Sequence, residues 1–418
     1  MKKDESIPPP VPRHHIQTLD QGSVTSPRGF RAAGVACGIK KSGWLDLGIL
    51  VSDTPCAAAG VFTRNAVKGA SLQVTQRHLK QGTAQAVVVN SGNANACTGE
   101  RGIQDAITLS TMLAQRLNLK PEDVLPSSTG VIGQFLPLEK LQQGIEHALP
   151  RLSDEGGIEM AKAIMTTDTV LKYSARLVEI EGKTFTIGGI AKGSGMIHPN
   201  MATMLAYLTT DARVDAPTLN IFLKAAVDSS FNRLSIDGDT SCCDTVLLLA
   251  NGTQEGVEIS LNTHTGYVFL EALKSLCLEL TMKMAFDGEG VTTVVKIHIE
   301  NAPTQEDARR IACTIAKSPL VKTAIHGQDP NWGRFLNALG YSGAAVNPGK
   351  VDMWIGKVQV MKNGMKAEYS EEEAHQVMKN EEYEVRLNLN QGSCHDFYIT
   401  TDFSKEYIDI NADYRNRT

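Results

Sequence analysis

The chain has 418 residues, of which 42% are hydrophobic and 21% charged, and a formal net charge of −5. Such a length and balance predict a sizeable packed core, as two or three domain-sized units or one interwoven α/β body. The acidic balance excludes an electrostatic footing on nucleic acid or an anionic membrane surface, and no run approaches the ~18 apolar residues of a spanning helix.

The N-terminus reads "MKKDESIPPPVPRHH". It has no apolar h-region, and Asp4 and Glu5 interrupt any basic transit helix. It predicts an extended, mobile arm over residues 1–21, with order from about residue 22. "AVVVNSGNANA" predicts a buried strand over Ala86–Val89 that ends in a Gly/Asn turn. A helix follows, with Ile103, Ala106, Ile107, Ala114 and Leu117 at helical spacing before the Pro121 stop. Further on, Asp215 is placed to cap a helix with Pro217 in its first turn and Leu219, Phe222 and Ala226 on one face. "VFLEALKSLCLEL" continues as an amphipathic helix. "TTVVKIHIE" alternates as a strand with Val295, Ile297 and Ile299 on one side. Thr304 and Asp307 cap the next helix, turning Ala308, Ile311, Ala312 and Ile315 inward. "VDMWIGKVQVMKNGMKAEYS" is a hairpin signal with Asn363-Gly364 as its turn, and "YEVRLNLNQG" alternates through Val385, Leu387 and Leu389. This irregular interleaving predicts α+β layers rather than a doubly wound parallel sheet. The eight cysteines form no C-x-x-C pair, and Cys242 and Cys243 are adjacent. They predict free thiols in a reducing, cytoplasmic setting.

No Walker A, G-x-G-x-x-G after a strand, H-E-x-x-H or G-x-S-x-G elbow is present, and the ten histidines are dispersed without zinc spacing. No metal is expected. What recurs is compact clusters of Gly, Ser, Thr and Asn: "NSGNANACTG", "SSTGVIG", "IMTTDT", "IDGDTS", "FDGEG", "GQDPNWGR" and "INADY". Singly each reads as a turn. Together they suit an acyl-transfer site built from hydroxyls, backbone amides and a few charges. In "GSGMIHPNMATML", cutting the Ala202–Thr203 bond would give Thr203 a free α-amine beside its own hydroxyl, with a reference pKa of about 7.7–8 that suits a general base. The plainer reading of those residues is a glycine turn entering an apolar strand, Met204 to Leu208, and spacing alone favours it.

Eight segments in order extend the pattern: "GVFTRNAV", "VVVNSGNANACTG", "SSTGVIG", "IMTTDT", "KGSGMIHPNMATML", "NRLSIDGDTS", "FDGEG" and "LVKTAIHGQDPNWGR". In these the chain resembles the ornithine acetyltransferase, or glutamate N-acetyltransferase, family of arginine biosynthesis over nearly its whole length. The resemblance implies a layered α/β sandwich of the DmpA-like type, self-cleaved between Ala202 and Thr203 into interwoven chains of residues 1–202 and 203–418. These chains associate as a heterotetramer of two alpha and two beta chains. It implies acetyl transfer from N2-acetyl-L-ornithine to L-glutamate through an acetyl-Thr203 ester. No cofactor is required, and acetyl-CoA serves as acetyl donor in some members. The oxyanion hole falls on Thr129 and Gly130. Substrate contacts fall on Thr166, Lys192, Thr203, Glu289 and Asn411, and on a residue of the last few, Asn416 by spacing or Thr418 by residue type. Lys192 is suited to the substrate α-carboxylate and Glu289 to the ornithine amine. Rival readings are a related self-cleaving aminopeptidase or amidase, and an uncleaved, inactive binding protein. The chain departs from the family pattern in carrying Cys242-Cys243 where Thr-Asn is usual, Val291 where Ala is usual, and a tail two residues longer.

Overall fold

The computed structural model describes residues 14–40, 43–198 and 204–413. Its centre is a nine-stranded mixed sheet. Across the sheet run His14–Thr18, Lys172–Ile180, Lys183–Lys192, Leu205–Thr210, Thr245–Ala250, Leu47–Phe62, Thr83–Asn93 and Val124–Val131, with Phe30–Val35 also paired to Leu47–Phe62. Helices cover both faces, which is why its inner strands read as unbroken apolar runs. Alternation survives inside those runs. Val87 and Val89 face a cluster with Met160 and Ile164, while Ala86 and Val88 face one with Leu109, Leu113, Leu141 and Ile145. Likewise Leu247 and Leu249 pack with Tyr207, and Val246 and Leu248 pack under the helices Ala216–Asp228 and His264–Phe286.

A second, seven-stranded sheet is built wholly from residues beyond 203. It runs from Leu234–Ser235 through Cys394–Thr401, Val294–Ala302 and Glu382–Asn388 to the strands of 352–366. Val295, Ile297 and Ile299 form one core with Ala308, Ile311, Ala312 and Ile315 of the helix Gln305–Lys317. The expected caps are present: Asp215 accepts the Thr218 N–H at 2.9 Å and Thr304 the Asp307 N–H at 3.0 Å. The Asn363-Gly364 turn has both φ angles positive, 49° and 74°.

The two segments either side of residue 203 are not separate bodies. Leu205–Thr210 pairs antiparallel with Lys183–Lys192, and its parallel neighbour Thr245–Ala250 pairs antiparallel with Leu47–Phe62. Two strands of the C-terminal segment therefore fill the middle of a sheet whose flanks are N-terminal. The extended arm expected over residues 1–21 does not describe residues 14–18. Residues 1–13 lie outside the described residues, whereas His14–Thr18 is a strand paired with Arg176–Ile180. All eight cysteines are free thiols, and no helix among the described residues is long and apolar enough to cross a membrane.

Candidate active site

One wall of the site is the end of the strand Val124–Val131. Thr129 and Gly130 pair in parallel with Ser91 and Gly92, and the register shifts at Asn93. Gly130 has φ +130°, and a Cβ there would lie 2.4 Å from the Gly92 carbonyl carbon and 2.6 Å from Asn93 N; only glycine fits that approach. The Asn-rich turn buttresses it. Asn90 accepts from Ser128 Oγ at 2.7 Å and donates to Asn93 O at 2.8 Å, and Ser128 meets Ser71 Oγ at 2.7 Å. Thr129 is buried, and its hydroxyl has no hydrogen-bond partner among the described residues.

The second wall is the end of the strand Lys183–Lys192. Lys192 is buried, donates to Thr166 Oγ1 at 3.0 Å, and forms no ion pair with a carboxylate among the described residues. Burial pulls its pKa below the ordinary value, against the field of Asp168. The loop carrying Thr166 is pinned from beneath. Asp168 accepts from Thr166 N at 3.0 Å, Gly193 N at 2.6 Å and Lys172 Nζ at 2.7 Å. Lys172 also pairs with Asp287, which in turn accepts from Thr169 and Val170 N–H. Burial alone would raise the Asp168 pKa, but Lys172 and Lys192 outweigh it and hold it at about 2.

The third wall follows the helix His264–Phe286. Glu289 N–H donates to Ser194 O at 2.9 Å, and its carboxylate accepts from Asn411 Nδ2, on the helix Lys405–Ala412, at 2.8 Å. Glu289 is 7% exposed and has no cationic partner among the described residues. A Cβ at Gly195 would stand 2.3 Å from Glu289 Oε2, so the glycine lets the loop lie against the carboxylate. Asp237 ties that loop down by accepting the N–H of Met196 and of Ile197, the latter at 2.9 Å.

These walls enclose a cavity of about 270 Å³ that brings together Thr129, Gly130, Thr166, Lys192, Glu289 and Asn411. Cys242 and Cys243 also line it. Ala202, Thr203, Asn416 and Thr418 lie outside the described residues. The described chain resumes at Met204, whose N–H donates to Asp244 Oδ1 at 3.0 Å, and Lys192 pairs with Leu205 in the sheet. Sequence reasoning missed Asp168, Lys172, Asp287 and Asp244. The only local signal was the Asx turn in "TTDT", where Asp168 follows Thr166 by two.

The model of the ArgJ family matches residues 31–416. The arginine biosynthesis bifunctional protein ArgJ of Symbiobacterium thermophilum is 46% identical over 396 residues, covering 94% of this chain and 98% of its own length. The protein of the same name from Dehalococcoides mccartyi is 47% identical over 401 residues, covering 96% and 98%. Among solved structures, an ornithine acetyltransferase complexed with ornithine from Mycobacterium tuberculosis is 44% identical, with TM-score 0.43, covering 44% of this chain and 98% of that one. With a family match running from the second strand of the sheet to the C-terminal tail and relatives aligned nearly end to end, the chain belongs to the ArgJ family.

Proposed function

We propose that the chain cuts its own Ala202–Thr203 bond and then moves acetyl from N2-acetyl-L-ornithine to L-glutamate through an ester on Thr203. Family membership makes it an acetyltransferase of arginine biosynthesis. The observation that carries the finer reading is the pair of unmatched charges in one cavity. Among the described residues Lys192 is a buried ammonium without a carboxylate partner, and Glu289 a nearly buried carboxylate without a cation. An ornithine derivative has a carboxylate and an ammonium at opposite ends and complements both. A buried charge gains most from a partner that arrives desolvated.

In processing, Thr203 Oγ attacks the Ala202 carbonyl, the peptide nitrogen leaves as an amine, and water opens the resulting ester. Thr203 then has a free α-amine, a group whose reference pKa of about 7.7–8 suits it to take the proton of its own hydroxyl. Oγ attacks the acetyl carbonyl of the donor. The developing oxyanion meets Gly130 N–H and Thr129, whose hydroxyl has no partner among the described residues; each such donor is worth about 2.7–4 kcal/mol. The ornithine α-amine leaves, and the glutamate α-amine takes the acetyl from the ester by the reverse path. No cofactor enters these steps. Acetyl-CoA is a second donor under this reading, a thioester in place of the amide, which fits the "bifunctional" name of the relatives. The central position of the strands Leu205–Thr210 and Thr245–Ala250 supports cut chains that stay together, here as two alpha and two beta chains working in the cytoplasm.

Intact mass spectrometry with a transfer assay tests this reading. Two fragments parting at residues 202/203 and glutamate-dependent transfer are expected, with Thr203→Ala left whole and inactive. Acetate release independent of glutamate identifies a hydrolase instead, and an active uncut protein overturns the scheme.

A further inference from the structure

Cys242 and Cys243 are each 5% exposed, yet both line the cavity. Their sulfurs lie 3.3 Å apart. The backbone around them is tied to both neighbouring walls. Cys242 O accepts the Gly69 N–H at 2.9 Å, Cys243 Sγ approaches Ala94 O at 3.5 Å, and the next residue is Asp244, which holds the Met204 N–H. The pair is thus a contiguous dithiol facing small molecules that enter the cavity, one residue from the support of the chain beside Thr203.

The geometry points to Cys242-Cys243 as a thiol modification site, at which a low-molecular-weight disulfide is reduced while the pair closes into a vicinal disulfide that disables the cavity. The chemistry stands on the dithiol alone; its effect on activity rests on the reading of this cavity as the substrate site. In the first step the Cys242 thiolate attacks one sulfur of the reagent RSSR, forming Cys242–S–SR and releasing RS⁻. In the second, Cys243 gives up its proton and attacks the Cys242 sulfur, expelling the second RS⁻. The two thiolates released take up the two protons, so the balance is two cysteine thiols and RSSR to one intramolecular disulfide and two RSH. Two electrons pass from the cysteines to the reagent.

The order of attack follows from the environment. A hydrogen bond from Cys243 stabilises the Cys242 thiolate against burial and brings its pKa to about 7, while Cys243 is held well above the usual thiol value by that same bond and by burial. Closing the ring draws the sulfurs from 3.3 Å to a bond of about 2.05 Å. The Cys242–Cys243 peptide is part of that ring, so its rotation pulls on the Gly69 contact and on Asp244.

The test is to treat the purified protein with bis(2-hydroxyethyl) disulfide, a small uncharged reagent, and to map its peptides without reduction. The peptide spanning residues 242–243 is expected to lose two hydrogens and keep no adduct, reversed by dithiothreitol. Cys243→Ser should stop with the adduct retained on Cys242. The exposed Cys97 takes an adduct too, but on a separate peptide. The ratio of treated to untreated transfer should fall at least tenfold and stay at one in the Cys242→Ser/Cys243→Ser protein. An unmodified 242–243 peptide, a persistent adduct on the native pair, or equal inhibition of the double variant overturns the proposal. Were untreated protein to show no transfer, the proposed function would fail on its own, and the peptide map would still decide whether the ring forms.

Discussion

Asp244 accepts the backbone N–H of Met204 through Oδ1 at 3.0 Å, one peptide beyond Thr203, while its Oδ2 is buried with no hydrogen-bond partner among the described residues. Burial raises the pKa of this carboxyl well above its ordinary value, and what the Met204 N–H needs from it is one accepting oxygen. Asparagine preserves the accepting oxygen; alanine leaves a buried N–H unsatisfied, at a cost of about 1–3 kcal/mol. In the Thr203→Ala background, a single continuous chain, Asp244→Asn should unfold near the parent midpoint and Asp244→Ala well below it. With Thr203 restored, fragments should appear more slowly in the alanine variant than in the asparagine one. Equal midpoints and equal cutting would show that the contact supports nothing.

Lys192 predicts opposite signs for stability and activity. Among the described residues its burial is compensated by a single hydrogen bond, to Thr166, and replacing a poorly compensated buried charge with an apolar side chain is often neutral or stabilising. Lys192→Met should therefore leave the unfolding midpoint unchanged or higher. Removing one side of a desolvated charge pair costs about 2–5 kcal/mol, so kcat/KM for the acetylated donor should fall at least about 30-fold. Steady-state kinetics beside thermal unfolding checks both, and an intact kcat/KM would dismiss the pairing with the substrate carboxylate.

Two glycines of the site should respond differently to alanine. At Gly130 the new Cβ would run into backbone, 2.4 Å from the Gly92 carbonyl carbon, at φ +130°, so the strand ends must part. Gly130→Ala should lower stability and activity together. At Gly195 the clash is with the carboxylate end of Glu289, 2.3 Å away, which can swing aside. Gly195→Ala should fold normally and raise KM for the ornithine-bearing donor more than for glutamate. Matched losses of stability in the two variants would contradict this distinction.

Local elements were legible wherever a period met a cap or turn residue, as at Asp215, Thr304 and Asn363-Gly364. Strand order was not. Nothing in "MLAYLTT" says that it enters between Lys183–Lys192 and Thr245–Ala250, because that choice is made by packing between distant segments. The hydroxyl and glycine clusters announced acyl chemistry, but the charges beneath them were hidden by residue type. Lysine is ordinarily a solvated residue, yet Lys172 is fully buried between Asp168 and Asp287. Lys40 is buried as well, reaching Met165 O at 2.6 Å, with burial lowering its pKa to about 8. Only the folded chain shows that Lys192 is buried in the wall of the cavity with no ion pair to a carboxylate among the described residues.

Asp237 makes the site sensitive to pH through the loop it ties down. It accepts the N–H of Met196, of Ile197 at 2.9 Å and of Asp239 at 3.1 Å. Burial is the largest influence and, with the charges of Asp239 and Glu289, raises its pKa from 3.8 to about 6 despite the stabilising N–H bonds. A raised carboxyl contributes stability that is fully present below its unfolded value and is lost as pH rises through its folded one. Between 3.8 and about 6 the unfolded chain releases this proton while the folded chain keeps it. Asp237→Asn keeps an oxygen for the loop and removes the titration. The stability of the parent minus that of Asp237→Asn should therefore decline over that interval and be level above it. Urea unfolding of both proteins at steps from about pH 4 to about pH 7 measures the difference, in the Thr203→Ala background so that one chain unfolds. A difference that is flat, or that grows with pH, would mean that Asp237 is already ionised in the folded protein and that the N–H groups of Met196 and Ile197 outweigh its burial.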